Sequence, residues 1–245
     1  MSRNLPIGIA LWLASVSVAI AQPEKNIETR EMGWIGYFNQ SRFTNRSGLW
    51  ADVHLRLNDN FVSETHAILA RVAYIYYVTD RTRISAGYAY QHQPGHEGDP
   101  NVLEHRPWQQ IQWFEKKSWF AMMQWIRLEQ RFRSTGEDGF EFSNHRIRYN
   151  IALTIPLTQK EIKPKTAFLF TNNEVFINFG ENVVNNYFDQ NRFFMGLGYQ
   201  FTSHLNAQLG YMNVFQQLPA GDHYVNSHAI RLFVFHSLDL RKTEE

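Results

Sequence analysis

Leu49-Trp50-Ala51-Asp52-Val53-His54-Leu55-Arg56-Leu57 decides how the chain folds. Read with a period of two, it puts Leu49, Ala51, Val53, Leu55 and Leu57 on one face. Asp52, His54 and Arg56 fall on the other. A helix would spread the three polar residues around its circumference, whereas a strand separates them cleanly. The same alternation recurs along the chain. Ile68, Ala70, Val72, Tyr74, Tyr76 and Val78 oppose a face containing Arg71. Ile84, Ala86, Tyr88 and Tyr90 oppose Arg83, Ser85, Gly87 and Gln91. Phe120, Met122, Ile126, Leu128 and Phe132 oppose Arg127, Glu129, Arg131 and Arg133. Ile147, Tyr149, Ile151, Leu153 and Ile155 oppose Arg146, Arg148, Asn150 and Thr154. Two more strands run through Phe193–Phe201 and Leu205–Tyr211, and less regular ones cover about 33–43, 102–114, 167–179 and 226–238.

These runs predict an all-β protein, and their second face predicts which kind. Arg and Glu recur in mid-strand, with glycines, opposite long apolar rows. A soluble barrel hides its apolar face; a membrane barrel turns that face to lipid and keeps polar groups in the lumen. Many runs approach the 9–11 residues a tilted strand needs to cross a bilayer. Tyr74, Tyr76, Tyr88, Tyr90, Tyr149, Tyr199 and Tyr211 lie on the apolar face, several near strand ends, as interfacial girdles do. Short connections near Thr79–Thr82, Glu115–Ser118 and Thr202–His204 alternate with longer ones at His92–Asn101, Ser134–Asn144, Gly180–Asn186 and Gln216–Asn226. The reading is an antiparallel up-and-down transmembrane β-barrel. Eleven strands can be counted, but bacterial single-chain barrels use even numbers with both termini in the periplasm. Twelve strands are therefore expected, with the twelfth hidden in 22–32; ten would follow if one strand has been split.

The amino-terminal segment fixes the compartment. Arg3, the apolar stretch Leu5–Ile20 and the small-x-small run Ala19-Ile20-Ala21 read as a secretory signal peptide spanning 1–21, with the barrel domain at 22–245. Without cysteine there is no disulfide framework, lipoprotein anchor or thiolate metal site. Beyond the leader no stretch of 18 apolar residues occurs, and the mean hydropathy of −0.41 is too polar for a helical membrane protein. Lys+Arg 24 against Asp+Glu 23 lacks the basic excess a nucleic-acid binder needs. The expected location is the outer membrane of a Gram-negative cell, as a monomer among its lipids.

The inward faces carry an ionic set: Asp52, His54, Arg56, Arg71, Arg83, Glu104, Arg106, Arg127, Glu129, Arg131, Arg146, Arg148, Glu174 and Arg192. Several of these lie in motifs: Glu104-His105-Arg106-Pro107-Trp108-Gln109-Gln110, Arg127-Leu128-Glu129-Gln130-Arg131-Phe132 and Arg146-Ile147-Arg148-Tyr149. Asn173-Glu174-Val175-Phe176, Phe188-Asp189-Gln190-Asn191-Arg192 and Gly210-Tyr211-Met212 continue the series. In these stretches the chain resembles the Gram-negative family known as domain of unknown function 2490, from about Trp34 to the carboxyl end. The resemblance implies an outer-membrane β-barrel and brings no activity with it.

Two functions suit the ionic set. Opposite charges on neighbouring strands can pair and fill a narrow lumen, giving a structural or envelope role. Alternatively Arg56, Arg71, Glu104, Arg106, Arg127, Glu129, Arg131, Arg148, Glu174 and Arg192 line a narrow channel that prefers small anionic solutes, because Arg exceeds Glu and Asp. Catalysis is not expected. The rival from another class is an outer-membrane lipid hydrolase or acyltransferase using Ser143 and His145, two residues apart on one strand face. No cofactor is expected. The ten histidines are scattered without a metal-binding spacing, and His92, His96, Glu97 and Asp99 read as a solvated loop. Gly196 and Gly198 alternate within a strand, where they relieve crowding inside the barrel.

Overall fold

The computed structural model describes residues 25–58, 61–95, 99–117, 119–134 and 139–241; the leader and residues 96–97 of the His92–Asp99 loop lie outside them. Eleven strands follow one another: β1 (Asn26–Arg42), β2 (Ser47–Asn58), β3 (Glu64–Tyr77), β4 (Thr82–Gln93), β5 (Val102–Lys116) and β6 (Ala121–Ser134). Then come β7 (Glu141–Pro156), β8 (Thr166–Phe179), β9 (Phe188–Gln200), β10 (Leu205–Gln217) and β11 (His223–Asp239). Each pairs with its sequence neighbour in antiparallel register, and β1 closes on β11 to complete a barrel. Closure leaves no open sheet edge among the strands.

The count of eleven corrects the expectation of twelve. Residues 26–32 hold no separate strand; they extend the run that begins at Gly33 into one strand of 17 residues. With an odd number the first and last strands point the same way, so their ladder is parallel, from Asn26↔His223 to Arg42↔Asp239. The chain therefore enters and leaves the barrel at opposite rims, not at one. Four-residue turns at 43–46, 78–81 and 201–204 mark the rim where β1 ends, with the β5–β6 link and a longer connection at 157–165. The β2–β3, β4–β5, β6–β7, β8–β9 and β10–β11 links mark the other.

The faces are disposed as the alternation predicts. Val53, Ile68, Val72, Tyr74, Ile84, Ile147, Leu197, Leu209 and Tyr211 are exposed on the outside. Asp52, Glu104, Arg106, Arg127, Glu129, Arg131, Arg146 and Arg148 are buried on the inside. The interior is not polar throughout, however. Met32, Trp34, Phe38, Phe194, Met212, Val214, Ala229 and Phe233 form an inward apolar cluster with Trp50, Phe170 and Phe235 against it. These residues come from β1, β2 and β8–β11. Leu69, Ala73, Ala89 and Trp108 make a smaller cluster.

Two glycines admit large rings into this interior. A Cβ at Gly198 would stand 2.1 Å from the Phe168 ring, so only glycine lets that ring lie on the wall. At Gly87 a Cβ would meet Trp108 Cζ2 at 2.7 Å and the Ala73 Cβ at 2.5 Å. The bare backbone there seats Trp108, on which Arg127 in turn rests.

Candidate functional site

The charged side chains assemble along the wall made by β5–β9. Glu104 accepts from three arginines: Arg106 Nε at 2.7 Å, Arg131 Nε and Nη2 at 2.6 and 3.0 Å, and Arg133 Nε at 3.0 Å. Glu129, one strand on, accepts from Arg146 Nε at 2.8 Å and from Arg148 Nη1 at 2.6 Å. Arg148 also donates to Glu174, through Nε at 2.6 Å and through Nη2, and Arg146 Nη1 reaches Asp189 at 2.7 Å. A second group sits on β2 and β3, where Asp52 accepts from Arg71 Nε at 2.8 Å and pairs with His54 at 2.7 Å. Charge-assisted bonds of this length are the strong kind, and paired guanidiniums tolerate burial that single ones do not.

Five other inward arginines make no hydrogen bond to a carboxylate among the described residues. Arg127 donates to Gln110 at 2.9 Å and lies over Trp108 and Trp125. Arg192 donates to Gln190 at 2.8 Å and lies over Trp34 and Phe176. Arg83 reaches Gln112 and Gln40, and Arg231 reaches Asn172 and Gln208 while resting on Phe194. Arg56 is held over the Trp34 ring at 4.3 Å, and its Nε is buried without a partner among the described residues. Ring faces and neutral amides hold these cations without cancelling their charge. Besides Arg30, which lines the cavity at one rim and bonds Glu28, the inward set contains eleven arginines, six of them bonded to the five carboxylates Asp52, Glu104, Glu129, Glu174 and Asp189. The lumen is cationic.

Space remains beside this network. A cavity of about 790 Å³ is lined by all five of those arginines. Its lining reaches Asn58, His66, Gln93 and Pro219 at one rim and Phe114, Phe235, His236 and Ser237 at the other. Arg56 faces Trp34 in the β1–β2 register, and Arg127 stands directly opposite Arg148 between β6 and β7. Like charges in such positions repel. Arg148 bonds two carboxylates, Glu129 (shared with Arg146) and Glu174, and Arg127 bonds none, so the pair leaves one positive charge facing the cavity.

All ten lumen candidates named from the sequence lie on the inward side, and Arg71, Glu104, Arg106, Glu129, Arg131, Arg148 and Glu174 are joined in ion pairs. Arg231 and Asp189 were missed. Arg231 alternates with Ile230 and Leu232 in one of the less regular strands and could have been found. Asp189 could not, since the alternation of Gln190 and Arg192 points it outward. A register shift between Phe176 and Ile177 makes Asp189 the extra residue, and the bulge turns it in to Arg146. Ser143 and His145 lie elsewhere. Ser143 is the unpaired residue where the β6–β7 register shifts, and His145 stacks on Phe179 on the outer surface. No hydrogen bond joins the two among the described residues.

The model of a protein family of unknown function, DUF2490, matches residues 31–225. The chain belongs to this family. An uncharacterised protein of Methylorubrum extorquens is 30% identical over 166 residues, covering 67% of this chain and 69% of that one. No solved structure matches the chain. The matched segment of this DUF2490 protein begins within β1 and ends within β11, and it contains ten of the eleven inward arginines, all but Arg231.

Proposed function

We propose that this DUF2490 barrel spans the outer membrane of a Gram-negative cell and that its lumen is a narrow, anion-preferring passage without catalytic chemistry. The observation that carries the proposal is the inversion of the barrel. Its outer face is apolar, and eleven arginines against five carboxylates are inside. In water such a surface would be an aggregation hazard, whereas in lipid it is what a spanning barrel requires. Strands of at least 12 residues, tilted as barrel strands are, reach about 30 Å, the thickness of a hydrocarbon core. Closure on β11 supports a monomer, because no edge strand waits for a second copy.

Spread over that height, about 790 Å³ leaves a bore averaging on the order of 25 Å². Small solutes fit it and folded chains do not. Five arginines without carboxylate partners bias it towards anions. The ion network on β5–β9 then serves as the rigid wall that holds the bore open.

The test is the reversal potential of the folded protein in a planar bilayer under a salt gradient. The wild type is expected to reverse towards the chloride potential. Arg127→Gln, which breaks no ion pair, is expected to stay folded and reduce the anion preference by roughly two- to threefold. Cation preference, or silence from protein whose folding a heat-modifiability gel confirms, would sink the proposal.

A further inference from the structure

A cationic passage for inorganic anions has no use for one whole side of this lumen. Opposite the charged strands, Trp34, Phe38, Phe233 and Phe235 line the cavity as one aromatic wall, with Phe38 4.9 Å from Phe233 and 4.5 Å from Phe235. The wall meets the unpaired charges at two residues: Arg231 lies 4.4 Å from the Phe233 ring, and Trp34 carries two arginines. Arg56 and Arg192 both lie against the Trp34 ring, at 4.3 and 4.9 Å. From there the apolar surface runs along β1 to Phe38, two inward positions or about 13 Å towards the short-turn rim.

The donors at this junction are in surplus. Arg56 Nε and Trp34 Nε1 are buried without partners among the described residues. Arg56 makes no ion pair among the described residues, and it lies within electrostatic reach of Arg71, Arg106, Arg148 and Arg192. Unpaired buried donors in a field of like charge call for an anion that accepts several hydrogen bonds. The adjoining aromatic wall calls for an apolar tail on the same molecule. A cavity of about 790 Å³ is of the size that encloses ligands of this kind.

We infer that the lumen binds an amphiphilic anion, with a phosphate or carboxylate headgroup against Arg56 and Arg192 and a single apolar chain along Phe38, Phe233 and Phe235. The inference rests on the cationic lumen proposed above and names the class of solute it takes. An inorganic anion satisfies the donors alone, and an uncharged amphiphile satisfies the wall alone. Only a molecule with both ends uses the junction at Trp34.

The test uses the full chain refolded into nanodiscs of phosphatidylcholine, followed by tryptophan fluorescence and native mass spectrometry, with empty nanodiscs correcting for partition. The probes are decyl phosphate, decanoate, inorganic phosphate and decanol. Decyl phosphate is expected to bind saturably at one copy per barrel, at least tenfold tighter than inorganic phosphate or decanol. Arg56→Gln is expected to weaken it at least tenfold, and Arg192→Gln provides the same reading should the first variant fail to fold. Decanoate within tenfold of decyl phosphate marks the headgroup as any anion; much weaker binding narrows it to phosphate, and both keep the inference. Equal binding of inorganic phosphate, or decyl phosphate binding that neither arginine affects, overturns it. So does absence of binding by folded protein, even where that protein still conducts anions, an outcome that leaves the passage standing without this ligand.

Discussion

Glu104→Ala is expected to lower the unfolding free energy of the barrel by about 3–5 kcal/mol, the cost of leaving buried cations without their counter-ion. Glu104 is 1% exposed and takes four hydrogen bonds from Arg106, Arg131 and Arg133. Arg106 keeps Gln91 at 3.1 Å after the change, and Arg133 is partly open to solvent. Arg131, however, loses both of its bonds. Glu104→Gln retains an acceptor oxygen and should cost less. Denaturant midpoints of the three proteins in lipid vesicles measure the series. A midpoint for Glu104→Ala within error of the wild type would mean that the network on β5–β9 is not what holds the wall.

The second large effect lies on the other face of the sheet. Val53 sits mid-way along β2, opposite Tyr37 and Ala70, and is 53% exposed. On the surface of a protein in water, Val53→Arg would change stability by no more than about 0.5 kcal/mol. At the midplane of a bilayer the same arginine should cost about 2–4 kcal/mol. Its neighbour in sequence, Asp52, is fully buried and bonded to Arg71, so the two faces of one strand obey opposite rules. Unfolding from vesicles of defined thickness reads the cost directly, and an unchanged midpoint would place Val53 in water.

How far the sequence reaches is visible in particular strands. β2, β4 and β7 separate charge from apolar residues so sharply that their faces and most of the ionic set can be read without coordinates. β1 around Trp34-Ile35-Gly36-Tyr37-Phe38 and β11 around Leu232-Phe233-Val234-Phe235 are apolar on both faces, and alternation says nothing where both faces are alike. That is why alternation does not mark the aromatic wall, whereas the twelfth strand expected in 22–32 rested on the even-number rule for single-chain barrels. Bulges defeat pattern reading for a different reason. One extra residue reverses every later side chain, so Asp189 joins Arg146 against its apparent parity. Pairing is equally invisible. Nothing in the order of residues distinguishes Arg131, bonded twice to Glu104, from Arg127, left on two tryptophans.

The central claim is that lipid meets the apolar face while water meets the arginines, and the absence of cysteine makes it directly testable. Gln208 lines the cavity and its neighbour Leu209 is 55% exposed on the outside. Each is replaced by cysteine in turn, and the barrel is inserted into liposomes. Gln208→Cys should react with a small charged thiosulfonate, and a fluorophore placed there should be indifferent to quenchers on lipid tails. Leu209→Cys should resist the reagent, and its fluorophore should be quenched from the bilayer. The reverse pattern, or equal reaction at both positions in folded protein, would contradict the account.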